Sequence, residues 1–356
     1  MKVVVYLTEP AAYTLDLVRD VHKKLNIKYR FLQTKTLISK KGFDVSNEIV
    51  LNQWSLYKRY FFLLSDYNKS DIIIFNGYNR LDFILLFFGI HIFKIKKKVI
   101  ILESDTQLVV PKNLVKRLIK YLYLKIVFSN KFVYAGAGGK FVHRDLFRHY
   151  GMAEERIKFF PMVIDVKRFQ KSTKNTNIFS FLFVGRLIDI KNVELLIQSF
   201  LIKFKNNFNV ILKIAGAGNQ YNYLKSKYQF KNVIFLGKIN NMEINNIYND
   251  CNVLVLSSTF EPWGLVVNEA MASGLPVIVS DKVGARYDLV LNQETGFVFK
   301  SGDAVDLSDK MFKIYHNKSL YKTLSANAFK LLQEYWNLDL YKKQVKSFID
   351  EIETKI

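Results

Sequence analysis

Cysteine is almost missing from this chain, with Cys251 alone among 356 residues. One thiol closes no intramolecular disulfide, so a disulfide-stapled secreted scaffold is excluded and a reducing, cytoplasmic setting is expected. Long apolar runs are missing too. The longest, Phe83 to Phe93, contains His91 and meets Lys94, well short of the roughly 18 to 20 residues that a spanning helix needs. At the amino terminus Val3 to Leu7 is too short for a signal peptide and is broken by Thr8, Glu9 and Pro10, which makes it a first buried strand. No His and Cys spacing suggests zinc, and Glu103 with Asp105 is too small an acidic set for a divalent ion, so no metal is expected. The stretch Ala135-Gly136-Ala137-Gly138-Gly139-Lys140 lacks a nucleotide-triphosphatase loop, since Tyr134 stands where its first glycine belongs and no Ser or Thr follows Lys140. It reads as a strand-to-helix turn.

What is present fills two cores. Hydrophobic residues make up 50% and charged residues 24% of the chain, a balance far from disorder, and the length favours two compact units over one. The net charge of +22 is uneven: residues 1–170 hold 30 Lys and Arg against 14 Asp and Glu, and the remainder holds 23 against 17. Such asymmetry points the first half towards an anionic partner, although Lys-, Asn- and Ile-rich codon usage also contributes. No recognised reader motif or interleaved aromatic pattern suggests nucleic acid.

Short β-branched or aromatic runs alternate with amphipathic segments, the pattern of βα units around parallel sheets. In the first half the expected strands are Val3 to Leu7, Tyr29 to Gln33, Ile72 to Phe75, Val99 to Leu102 and Lys131 to Tyr134. The second half offers Phe179 to Val184, Val210 to Ala215, Val233 to Leu236, Val253 to Leu256, Pro276 to Val279 and Gly296 to Phe299. The polar run Gln170 to Asn177 reads as a linker. The expected domains are therefore residues 1–170 and 178–335, with a terminal helix over 336–356 packing back on the first. Apolar spacing places Leu307, Met311 and Ile314, then Leu340, Val345, Phe348 and Ile349, on helix faces.

Glu261-Pro262-Trp263-Gly264-Leu265-Val266-Val267-Asn268-Glu269 follows a buried strand and reads as the opening of a helix, with Pro262 just inside its start. A helix start offers unpaired N–H groups and a partial positive charge, a seat for a diphosphate that Gly264, Leu265 and Val266 would supply. At a helical rise Glu261 and Glu269 would lie about 10 to 12 Å apart, the span from a hexose to a ribose. Carboxylates suit both ends, because they accept charge-assisted bonds from hydroxyls. Upstream, Gly185 ends a strand, and Arg186 and Lys191 form a pair of cations able to neutralise a diphosphate. Positive charge at a helix start is unfavourable by itself, which hints at a bound anion.

The Glu-x7-Glu pattern followed by Ala-Ser-Gly-Leu-Pro-Val resembles the retaining family-4 glycosyltransferases, the glycosyl transferases group 1, and so does Phe183-Val184-Gly185-Arg186-Leu187 with Lys191. The resemblance covers residues 178 to 300 well and the first domain only as fold. It implies an α/β protein of the GT-B fold, two doubly wound Rossmann-like domains facing each other across a cleft. It assigns Arg186 and Lys191 to the donor phosphates, Glu261 to the sugar and Glu269 to the ribose. Gly216 and Gly218 look like the family's glycine turn near the nucleotide, and Lys238 and Ile239 like its base-contacting loop. The sequence departs from the family where Glu9-Pro10-Ala11-Ala12-Tyr13 replaces a glycine pair after the first strand, and where Glu103-Ser104-Asp105 replaces a histidine. Asp105 is the candidate polar contact there, against its commoner role as a turn residue. His143 and His149 are expected at the surface.

One segment of the first half stands apart. After Pro111, the basic residues Lys112, Lys116, Arg117, Lys120 and Lys125 lie among Leu114, Val115, Leu118, Ile119, Leu122 and Leu124. Two readings fit: an amphipathic helix on an anionic bilayer, or a core-facing helix with a solvated basic edge. Taken together, the expectation is metal-independent, retaining transfer from a nucleotide-diphosphate sugar to a glycan or lipid-linked acceptor. The setting would be cytoplasmic, peripheral on the membrane's inner face, in polysaccharide or lipopolysaccharide assembly. Beyond the co-substrate no cofactor is called for. The rivals are a nucleotide-sugar epimerase and a non-catalytic membrane-surface binding protein.

Overall fold

The computed structural model describes residues 1–34, 48–171, 178–240, 243–291 and 293–355. The part of the expected linker at 172–177 lies outside them. The chain divides into one unit of Met1–Met162 with Leu338–Ile356, and a second of Val163–Asn337. The division thus falls after Met162, where the sequence reading had put it in the polar run. Apolar content explains the shift: Val163, Ile164, Val166 and Phe169 are buried, and the Phe169 ring meets Tyr248 edge-on within the second unit.

The first unit runs β1 (Val3–Leu7), α1 (Ala12–Leu17), β2 (Lys28–Phe31), α2 (Leu56–Lys69), β3 (Ile72–Asn76), α3 (Leu81–Ile92), β4 (Val99–Ser104), α4 (Leu114–Ser129), β5 (Val133–Ala137), α5 (Val142–His149) and β6 (Ile157–Phe159). Its sheet has the order β2-β1-β3-β4-β5-β6, and every pairing is parallel. Strands such as β1 and β3 are apolar on both faces because helices cover both sides of a parallel sheet. The three-residue edge strand β6 was not expected from the sequence, being too short for a periodic signal. Strand β5 also starts later than expected and takes in Gly136. A Cβ there would press on the Phe160 ring at 2.7 Å, so the glycine serves packing inside the strand and not a turn.

The second unit runs β7 (Phe179–Val184), α6 (Val193–Phe204), β8 (Val210–Ala215), α7 (Tyr221–Lys227), β9 (Val233–Gly237), α8 (Ile244–Asn249), β10 (Val253–Leu256), α9 (Leu265–Ala272), β11 (Val277–Ser280), α10 (Arg286–Leu289), β12 (Gly296–Phe299), α11 (Ala304–His316) and α12 (Lys318–Glu334). Its parallel sheet has the order β12-β11-β10-β7-β8-β9. Leu307, Met311 and Ile314 of α11 are buried as their spacing implies.

The last helix, α13 (Leu338–Glu353), belongs to the first unit. Its buried residues are Tyr341, Val345, Phe348 and Ile352, so Tyr341 and Ile352 take the inward places expected for Leu340 and Ile349. Tyr341 donates to Glu103 at 2.5 Å and Lys158 reaches Glu351 at 2.8 Å, which fixes the helix on that sheet. His143 is fully buried, not a surface residue, because α5 turns His143, Leu146 and Phe147 together towards the core. His149 is exposed.

Candidate donor site in the second unit

A parallel sheet offers a ligand crevice outside the carboxyl ends of its strands, where the strand order reverses. In the second unit that point lies between β7 and β10, since β8 continues on one side of β7 and β10 starts the other. The loops after these two strands hold Lys191 and Glu261. Lys191 donates its Nζ to Glu261 Oε2, both side chains being about 13 to 14% exposed, and Ser258 Oγ lies 3.3 Å from the same oxygen.

Hydrogen bonds sew the two loops together around that pair. Ser257 Oγ donates to the carbonyls of Lys191 and Asn192 at 2.9 and 3.0 Å, and the Thr259 amide donates to Ile190 O at 2.8 Å. The unfavourable positive charge expected at this helix start is therefore answered within the protein by Glu261. Its position seventy residues on hides that pairing from local sequence reading. Arg186, by contrast, is exposed, and its side chain has no partner among the described residues.

Helix α9 begins at Leu265, with Gly264 as its N-cap at φ +99°. An L side chain resists that conformation, and a Cβ would also press on Glu261 and Leu256 at 3.2 Å. Pro262 stands two residues before the cap, outside the helix and not inside its start. Glu261 itself makes an isolated bridge with Val283, so the segment from Glu261 to Glu269 is not one continuous helix and the helical rise does not give their separation. The carbonyls of Glu261 and Trp263 accept from the amides of Gly284 and Ala285 at 3.0 Å, which anchors the turn to the loop after β11. The amides of Gly264, Leu265 and Val266 have no acceptor among the described residues. They stand where α9's partial positive charge is greatest.

Gly185, Gly216 and Gly218 make one locked turn at the ends of β7 and β8. A Cβ on Gly216 would overlap the Gly185 carbonyl oxygen, and one on Gly218 would overlap that of Leu187. Only glycine lets these backbones close to the bonds Gly185 N to Ala215 O and Leu187 N to Ala217 O, each 3.0 Å. Gly237, at the end of β9, accepts from the Gly216 amide at 2.7 Å, which carries the lock to Lys238, exposed, and Ile239, half-buried.

Glu269 lies on α9 and accepts from the buried Tyr248 hydroxyl at 2.7 Å. Withdrawal from water raises its pKa; the Tyr248 bond and the Arg168 charge pull the other way. Tyr248, Arg168 and the serines at 257 and 258 were missed on sequence, because they act through partners far along the chain. Only the Ser257-Ser258-Thr259 run directly after a buried strand could have signalled them.

Asp105 belongs to the first unit. It follows β4, beside Gly138, where an added Cβ would meet it at 3.2 Å, and its charge and that of Glu9 act on the Tyr13 hydroxyl, whose pKa burial raises most. Among the described residues, no group of three or more His, Cys, Asp or Glu side chains is placed to hold a metal ion.

Residues 165–331 match the family model of the glycosyl transferases group 1. The chain is 31% identical over 182 residues to the capsular polysaccharide biosynthesis glycosyltransferase CapM of Staphylococcus aureus, covering 49% of this chain and 47% of that protein. It is 27% identical over 235 residues to the N,N'-diacetylbacillosaminyl-diphospho-undecaprenol alpha-1,3-N-acetylgalactosaminyltransferase of Campylobacter jejuni, covering 61% and 59%. The chain thus spans about half the length of the curated relatives it matches. Among solved structures, HepE from Anabaena in complex with UDP aligns with a TM-score of 0.74 at 17% identity over 99% of this chain and 100% of that one. Sucrose-phosphate synthase from Thermosynechococcus elongatus aligns at 0.75 and 17% over 100% of both. These likenesses show the GT-B fold.

Proposed function

We propose, from the premise that residues 165–331 are a glycosyl transferases group 1 domain, that this chain is a retaining glycosyltransferase. It moves a sugar from a nucleotide-diphosphate sugar to a glycan or lipid-linked acceptor during polysaccharide assembly. The observation that carries this reading is the Lys191–Glu261 pair, which bridges the loops after β7 and β10 at the sheet's switch point. A diphosphate there meets the Lys191 ammonium, the exposed Arg186 guanidinium and the open amides of α9. The relatives' roles in capsular polysaccharide and undecaprenol-linked glycan synthesis, and the UDP held by HepE, support the same class of donor and acceptor.

In the reaction, the bond from the anomeric carbon to the diphosphate oxygen breaks while the acceptor hydroxyl oxygen bonds on the same face, its proton passing to the departing diphosphate oxygen. The electron pair leaves with the diphosphate, and Arg186, Lys191 and the amides of Gly264, Leu265 and Val266 stabilise that charge without a metal. Glu261, oriented by Lys191 and Ser258, aligns the sugar hydroxyls; Glu269, oriented by Tyr248, takes the ribose hydroxyls. Gly185, Gly216 and Gly218 hold the loops close, and Lys238 with Ile239 borders the base.

The test starts by screening nucleotide-sugars for a rise in melting temperature, since a ligand that binds only the folded chain stabilises it. With the stabilising donor, the Arg186→Ala/Lys191→Ala double variant should lose transfer by at least about a thousandfold while keeping its circular dichroism spectrum. Full transfer by that variant sinks the assignment. Conversion of the donor to an epimer without acceptor would establish the epimerase instead.

A further inference from the structure

Helix α4 of the first unit carries two apolar faces, and the fold buries only one. Leu124, Val127 and Phe128 are fully buried. Leu114, Val115, Leu118, Ile119, Leu122 and Ile126 are between 51 and 73% exposed. At about 100° per residue, those six exposed side chains fall within one arc of about 140°, centred nearly opposite the buried three. The exposed set is thus a second continuous stripe along the helix and not fraying of the first. Soluble proteins rarely leave a contiguous stripe of large aliphatic side chains in water unless something covers it.

Charge says what covers it. From Thr106 to Arg144 the chain has eight Lys and Arg residues and no Asp or Glu. On the helix, Lys116 lies beyond one edge of the arc and Lys125 at the other, and both are exposed. The exposed Ile92 and Phe93 end α3, and His91 just before them lies 3.4 Å from Asn130, next to the end of α4. Lys94, Lys96, Lys97 and Lys98 follow at once. We propose that this face is a docking surface for an anionic lipid bilayer, with α4 lying in the headgroup plane, its outer aliphatic arc among the acyl chains and its flanking lysines on lipid phosphates. A second copy of the chain fits less well, because pairing the same faces would set lysines against lysines with no carboxylate in the segment to answer them. Among the described residues no helix is long and apolar enough to cross a membrane, so the contact is peripheral. It concerns the first unit alone and holds whatever sugar the second unit carries.

The experiment is flotation of the full chain with vesicles of phosphatidylcholine alone or mixed with phosphatidylglycerol. The full chain should float with the mixed vesicles, lose that binding as salt rises, and stay behind with phosphatidylcholine alone. Leu118→Ser/Leu122→Ser should weaken the binding at least about tenfold with an unchanged melting temperature, both side chains already being in water. If that variant fails to fold, Lys116→Glu/Lys125→Glu supplies the same readout through charge. Absence of flotation, or equal flotation with both vesicle types, overturns the proposal. A dimer in solution that dissociates in the leucine variant, with no vesicle binding by the parent chain, assigns the face to a second copy and overturns it equally. Nucleotide-sugar stabilisation measured on the same samples keeps this outcome separate from that of the transferase reading.

Discussion

The two sheets have a comparable switch point and fill it with opposite chemistry. In the second unit, glycine-locked loops bring a lysine and open amides to the gap between β7 and β10, and the Glu261 carboxylate there is paired with that lysine. In the first unit, the gap between β1 and β3 is closed by side chains: Thr8 donates to Asn76 O at 3.2 Å and Arg80 donates to Thr8 at 3.1 Å, with Glu9, Glu103 and Asp105 nearby. A diphosphate would be welcomed at one and repelled by carboxylates at the other. Parallel topology therefore provides the position of a site, and the loop residues decide its charge.

A second pairing repeats across the units with a different outcome. Glu103 accepts from Tyr341 and Glu269 from Tyr248, both tyrosines being buried. Glu269 also feels the Arg168 cation, whereas burial drives Glu103 up to about 7 against only the Tyr341 and Asn76 bonds.

The largest break in the comparison should come from Gly218→Ala. Its Cβ overlaps backbone at Leu187, so we expect loss of nucleotide-sugar stabilisation and a fall of about 3 kcal/mol or more in the second unit's stability by urea unfolding. Gly138→Ala in the first unit meets the Met162 side chain at 2.9 Å, which yields more easily, and its cost should be clearly smaller. Equal losses would remove the claim that only the second unit depends on a backbone lock.

Next in size is the pH dependence of the first unit. Because Glu103 is raised from 4.5 to about 7 in the fold, its contribution is fully present below about pH 4.5 and is lost as pH rises to about 7, by roughly 3 kcal/mol. Glu103→Gln should abolish that slope and be the more stable form at pH 8, as read from unfolding at a series of pH values. A slope that survives the substitution assigns the titration elsewhere. The smallest effect is expected from Tyr248→Phe, which removes one donor from Glu269. Nucleotide affinity by calorimetry should fall by about 1 kcal/mol, roughly fivefold; no change would release Glu269 from the ribose.

Strands 179–184, 210–215, 253–256 and 296–299 were legible residue for residue, because a parallel strand buried on both faces is a short apolar run bounded by polar turns. The three-residue β6 was not, since pairing with β5 makes it a strand and its own composition does not. At the site, Lys191 and Glu261 were legible as chemistry but not as partners. The true start of α9 after Gly264 and the burial of His143 were misread, because both depend on what packs alongside.

Composition, apolar runs and the spacing of glycines, cations and carboxylates by themselves determined a two-sheet α/β chain and gathered the candidate site residues in its second half. Tertiary structure alone decided which residues meet across seventy positions of chain, and which of α4's two apolar faces is buried. The physical reason is that local pattern reports what a side chain prefers, whereas burial is a competition, settled only when the sheet offers one face a partner and leaves the other in water.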